Sequence, residues 1–224
     1  MKSQTTPQRL MKKISAGILT TAFVLAAGQT KLAAQDKYEV NSYSKTTSIT
    51  VSGTSNIHEW NMTSPTLTCN AQMLYDNTGS DSKLNVSQLE FSVAVKTLKS
   101  GKAKMDDKTY TALKANTYST ITFKMISSRT TPYKKDAFNI VSTGTLTIAG
   151  VTHDIDLTVA CQVKPDGTVI CVGSKKLKMT DYNVEPPTAL FGAITSGNDI
   201  TISFVLDLKK SLPNDYLKGA SLLN

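Results

Sequence analysis

Side chains that do covalent or metal chemistry are scarce in this chain. Its 224 residues include two histidines and three cysteines. Cys69, Cys161 and Cys171 form no C-x-x-C pair, which removes the usual thiol-redox and haem-attachment motifs. A triad hydrolase needs a nucleophile, a base and an orienting acid, and no G-x-S-x-G turn occurs. A metal site wants clustered His, Cys or carboxylate ligands. His58 and Glu59 are sequence neighbours in a strand-like stretch, so they project to opposite faces. These gaps predict a binding protein rather than an enzyme, with no catalytic residue, no metal ligand and no cofactor. Linkers rich in Pro, Gly and Ser are missing as well, as are low-complexity tracts and repeats.

Long apolar runs are absent except near the start. Residues 14–27 (ISAGILTTAFVLAA) follow a basic stretch with Lys2, Arg9, Lys12 and Lys13 and precede Leu32-Ala33-Ala34. A basic head, a short apolar run and a small-residue exit describe a secretory signal. The run falls short of the ~20 residues that cross a bilayer. Residues 1–34 are thus expected to be a signal peptide cut after Ala34, with Met11 as an alternative start. No cysteine stands at the end of this leader, so a lipid-anchored form is not expected. Periplasmic or secreted location follows.

The leader also distorts the charge. Five of the 25 Lys+Arg and none of the 17 Asp+Glu lie in residues 1–34, so the remainder carries 20 against 17, a net +3 in place of +8. Nucleic acid is therefore not an expected partner, since phosphate binding rests on concentrated basic charge. About 190 residues remain, enough for one domain with a sizeable core. The domain is expected over 36–209, with a polar tail over 210–224.

What the chain does have is period-two alternation. Ile200, Ile202, Phe204, Leu206 and Leu208 alternate with more polar residues, as do Ile155, Leu157, Val159, Cys161 and Val163. The same holds for Leu89, Phe91, Val93 and Val95, for Ile121, Phe123 and Met125, and for Leu67, Cys69, Ala71 and Met73. Each pattern describes a strand with one apolar and one wet face, as in antiparallel sheets. One short helix is predicted, capped by Asp106-Asp107 and running through Tyr110, Ala112, Leu113 and Ala115. Thr188–Ile194 reads either as a helical turn or as an apolar loop. Eight or more such strands make a closed barrel or a sandwich.

Lys164-Pro165-Asp166-Gly167 fits a type I turn with Gly in the left-handed position, closing a three-residue hairpin loop. That register pairs Lys164 with Thr168 and Cys161 with Cys171 on a non-hydrogen-bonded rung, where side chains come closest. The pair is either a disulfide, which export permits, or two thiols on an apolar face. Cys69 is expected to be a buried thiol acting as a small hydrophobe.

Four segments in order resemble the YceI-like family. The opening YEVNSYSKTTSITVSGTSNIHEW carries Gly53, Thr54, Ser55, His58, Glu59 and Trp60 in a G-T-S-x-x-H-[DE]-W element. The central LEFSVAVKTLKSGKAKMDDKTYTALKANTYSTITFKM, the hairpin GTLTIAGVTHDIDLTV and the closing KMTDYNVEPPTALFGAITSGNDITISFVLDL complete the likeness over residues 38–208. The HEW element resembles the subgroup of Bacteroidetes-type bacteria. The resemblance implies an all-β fold, an eight-stranded antiparallel lipocalin-like barrel with one short helix, exported to the periplasm. It also implies a long-chain apolar lipid partner, a polyisoprenoid or fatty acyl chain, with the membrane met only transiently as a lipid source. A homodimer is left open. So is a solid barrel serving as an interaction module.

On this reading Phe91, Val93, Ile121, Phe123, Leu157, Val159, Ile202 and Phe204 face inward, to line a tunnel or to fill a core. Met62, Met105, Met125 and Met179 suit a pocket that adapts to flexible chains. Trp60 walls the tunnel or packs as core. His58, on the strand face of Trp60 and Met62, is the head-group candidate, or a structural residue. Leu190 and Phe191 gate the barrel mouth or plug it. His153 is expected as an exposed turn residue. Asp181-Tyr182 departs from the arginine-containing pattern common in the family, leaving Lys175, Lys176 and Lys178 as sources of positive charge.

Overall fold

Alternating apolar residues become strands wherever the inner face has something to bury. The computed structural model describes residues 35–79 and 81–211; the expected signal peptide and nearly all of the expected tail lie outside them. The described strands are β1 (Asp36–Val40), β2 (Ser48–Ser55), β3 (Glu59–Ser64), β4 (Thr68–Asp76), β5 (Lys83–Ala94), β6 (Thr120–Lys134), β7 (Ala137–Ile148), β8 (Val151–Val163), β9 (Val169–Lys178), β10 (Thr188–Ala189) and β11 (Ile194–Lys210). The helix α1 spans Ala103–Ala112.

All strand pairs are antiparallel. The neighbour order β1-β4-β5-β6-β7-β8-β9-β11 returns to β1, closing eight strands into a ring of lipocalin-like form. β2 adds to the N-terminal half of β11, and β3 adds to β2. A bridge from Thr63 to Lys99 ties β3 to the segment that follows β5. There α1 covers the barrel: Tyr110 Oη donates to Leu98 O at 2.7 Å and Thr109 Oγ1 to Met62 Sδ at 3.2 Å.

One end is solid. Phe138, Met73, Val169 and Leu208 are almost fully buried there, with Tyr38 and Val163 around them. Tyr75 meets Phe138 edge-on and donates to Asp136 Oδ1 at 2.6 Å, and burial with that hydrogen bond pushes its phenol up to about 12. Cys69 is buried as expected, and desolvation pushes its thiol up to about 12, so at neutral pH it stays protonated and inert.

The 164–168 hairpin forms as its turn chemistry dictates. Gly167 has φ of +84°, its N–H donates to Lys164 O, and Lys164 N–H donates to Thr168 O. Cys161 and Cys171 face each other with Cα atoms 4.1 Å apart and are joined as a disulfide. Of the two readings left open, the oxidised pair is the one observed. Cys161→Ser with Cys171→Ser is expected to lower unfolding free energy by about 2–3 kcal/mol, the chain-entropy value for so short a loop. Urea denaturation checks it, and an unchanged midpoint contradicts it.

The β8–β9 ladder stops early. It covers only Val159–Val163 against Val169–Gly173, after which β8 pairs with β7 alone and β9 with β11 alone. The strands splay, leaving a slit whose base is held by the disulfide. Two side chains span the slit. Lys175 Nζ donates to Asp156 O at 2.7 Å, and His153 Nε2 lies 2.8 Å from Asp181 O. His153 also stacks edge-on against Tyr182. It is therefore not a turn residue. The turn ends at Gly150, and His153 is a strand residue, exposed yet pinning the 3-10 turn Met179–Tyr182 to β8.

The helix also differs from expectation. It begins at Ala103 and ends at Ala112, and Asp106 does not cap it. Asp106 is buried and turns back onto the Leu-Lys-Ser-Gly turn, where its Oδ1 accepts from Ser100 Oγ at 2.6 Å and Ser100 N at 2.8 Å. The Ser100 hydroxyl, with its N–H and nearby Lys99, holds the Asp106 carboxyl below the usual range despite desolvation. A depressed folded pKa stabilises at neutral pH, and that contribution is lost as pH falls through the folded value. Thermal melts are expected to show the wild type losing stability over the most acidic range and Asp106→Asn losing less. Parallel pH profiles would contradict this.

Candidate functional site

The open half of the barrel encloses a cavity of about 820 Å³. This falls within the roughly 300–1,000 Å³ typical of small-molecule sites. Val51 of β2, Trp60 and Met62 of β3, Met105 and Ala112 of α1, Leu113 just after it, Ile121 of β6 and Ile200 and Ile202 of β11 form its apolar wall. Met179, Tyr182 and Val184 cover another side. Deeper in, a second void of about 90 Å³ lies among Phe91, Phe123, Met125, Leu157, Val159, Phe204 and the disulfide. Ile202 borders both spaces and so marks the neck between them. The interior is therefore neither hollow throughout nor solid: one wide chamber narrows onto a nearly filled one.

The G-T-S-x-x-H-E-W element builds the chamber's wall. Gly53 is the register partner of Trp60, and any Cβ at Gly53 would lie within 2.8 Å of the indole Cε2. The missing side chain lets the ring lie flat on β2, where Trp60 Nε1 donates to Thr54 O at 2.9 Å. Ser55 closes the following turn, its Oγ donating to His58 O at 2.8 Å and accepting from His58 N at 3.1 Å. Asn56 then bolts this turn to the β10–β11 loop. It donates from Nδ2 to Ala193 O at 2.9 Å and from N to Thr195 O at 3.1 Å, and accepts from Thr195 N at 3.0 Å. His58 thus stands in a turn before β3, not on the strand face of Trp60 and Met62, yet it still borders the chamber, exposed at the rim.

Charge is confined to the mouth. Lys102, Lys104 and Lys108 of the α1 region and Lys178 at the end of β9 line the opening, and among the described residues no Asp or Glu does so. Lys178 sits 3.5 Å from Asp199, both exposed. Lys175 is the exception to an apolar inner face. Its register partner is Ile202, and it borders the deeper void while its ammonium spans the slit. Lys176 faces outward, exposed.

Of the residues singled out in the sequence, Trp60, Met62, Met105, Ile121, Met179, Leu190, Phe191 and Ile202 border the wide chamber. Phe91, Phe123, Met125, Leu157, Val159 and Phe204 border the deep void with Cys161 and Cys171. Val93 faces inward but is packed at 1% exposure and borders neither. Leu190 and Phe191 do not plug the barrel; they project at its rim, largely exposed. Within Thr188–Ile194, read as a helical turn or an apolar loop, a helical turn forms over Leu190–Gly192, preceded by a two-residue strand that the reading did not include. Sequence reading missed the lysines at the α1 end. Their signal was the helical spacing that puts Met105, Thr109 and Ala112 on one face with Lys108 at its edge.

No curated protein matches the chain. Solved structures do. BcnA of Burkholderia cenocepacia superposes with a TM-score of 0.52 at 18% identity, covering 73% of this chain and 95% of its own. A polyisoprenoid binding domain from Saccharophagus degradans, implicated in plant cell wall breakdown, gives 0.56 at 12% identity, covering 78% and 98%. These likenesses carry the fold. The family model for the YceI-like domain matches residues 38–208, and on that match the chain belongs to the YceI-like family.

Proposed function

We propose that this protein is an exported, non-enzymatic carrier of a long-chain apolar lipid, a polyisoprenoid or fatty acyl chain. The observation that carries the reading is the chamber of about 820 Å³, apolar along its wall and basic only at its mouth. Burying ten methylenes at ~0.8 kcal/mol each gives roughly 8 kcal/mol before ordering costs. Micromolar binding of a short chain needs no polar contact. The rim lysines and His58 suit an anionic head group. A solved relative described as polyisoprenoid binding supports the prenyl class. Export is supported by the basic, apolar and small-residue order of residues 1–34 and by a disulfide that suits an oxidising compartment. Solvent extraction and native mass spectrometry of the purified protein test the reading. One prenyl or acyl lipid per chain is the expected result. A clean protein that takes up neither geranylgeraniol nor palmitate would overturn it.

A further inference from the structure

The mouth of the chamber carries large apolar side chains that are mostly exposed. Phe191 is 113% exposed, Leu190 69% and Ile57 58%. They sit on the two loops that Asn56 bolts together, so the three form a preassembled patch and not separate surface residues. Leu190 and Phe191 both hold left-handed backbone, φ of 47° and 54°, ahead of Gly192 at 93°. Side chains with a Cβ pay for that conformation. The strained turn buries none of Phe191 and little of Leu190, and leaves both projecting at the rim.

Basic charge rings the same opening. Lys102, Lys104 and Lys108 are exposed at the α1 end, and Lys178 at the other side. Of the nearby acids, Asp199 sits 3.5 Å from Lys178, whereas Asp107 falls on the far side of α1 from the chamber-facing Met105 and Ala112, and Glu59 alternates with Trp60 to the outer face of β3; the α1-end lysines therefore carry most of the unopposed charge. Projecting apolar tips within a cationic ring match one kind of surface. Apolar side chains enter the boundary between head groups and acyl chains, while lysines meet anionic head groups.

We infer that the chamber mouth docks on an anionic phospholipid bilayer, with Phe191, Leu190 and Ile57 inserted and the lysines on the head groups. The docking rests on the carrier reading for its purpose: it sets the opening against the pool from which a chain enters without crossing water.

Flotation of the exported protein with vesicles tests it, using phosphatidylcholine alone and phosphatidylcholine with 30% phosphatidylglycerol. About tenfold stronger partitioning onto the anionic vesicles is expected, falling as salt rises. Leu190→Ser with Phe191→Ser is expected to weaken binding about tenfold or more, the loss of two buried apolar side chains. Lys102→Gln with Lys104→Gln and Lys108→Gln should erase the anionic preference. Val172→Ser, an exposed apolar residue on the outer wall, should change nothing. All six substituted residues are exposed, and melting curves check that the variants fold. A wild type that stays unbound with both vesicle types would overturn the docking and assign the patch to a protein partner. A serine variant that floats like the wild type would overturn it equally. Uptake of geranylgeraniol, measured without vesicles, keeps the two claims apart: retained uptake with no flotation sinks docking alone, and flotation with no uptake sinks the carrier alone.

Discussion

Ile202→Trp is expected to empty the barrel. Ile202 borders both the wide chamber and the deep void, so an indole there stands in the neck and takes the space a chain would thread. Excluding three or four methylenes at ~0.8 kcal/mol each removes about 3 kcal/mol, on the order of a hundredfold in affinity. The fold should survive, because overpacking costs typically ~1–3 kcal/mol and the neighbouring void absorbs part of the added volume. Native mass spectrometry is expected to show the lipid-bound species lost while the melting temperature moves little. A variant that keeps its lipid would place the chain outside the neck.

Gly53→Val should have the largest effect on stability. The indole of Trp60 lies where the new side chain must go, so the ring leaves β2 and its hydrogen bond to Thr54 O is broken. Strain and the lost bond together cost about 3 kcal/mol. For a domain of this size that lowers the melting temperature by roughly 6–12 °C. Removing the obstacle should restore part of it: Gly53→Val in a Trp60→Leu background is expected to cost much less than in the wild type, the non-additivity of touching residues. Equal costs in both backgrounds would show that Trp60 does not depend on the glycine.

Part of this architecture is legible in the residues alone. Alternation fixes the face of each strand, so the inward set from β5, β6, β8 and β11 could be named without coordinates. Turn chemistry fixes register, and the 164–168 loop therefore placed Cys161 opposite Cys171. Periodicity says nothing about the distance across the ring, which is why chamber and filled end could not be told apart. Nor does it report where a ladder ends. Lys175 sits at an inner position of β9, and only the splaying of β8 explains how its ammonium finds a partner at Asp156 O. Asp106 misled for a related reason: an acid at a helix start ordinarily serves the helix, but here Ser100 offers two donors from the preceding turn.

Trp60 makes the central claim directly measurable, since it is the single tryptophan and it walls the chamber. Titrating delipidated protein with a fatty acid brominated along its chain should quench the tryptophan emission saturably, with an end point at one ligand per chain. Emission that falls only in proportion to added ligand, or not at all, would mean that no hydrocarbon tail reaches the indole and that the chamber does not hold one.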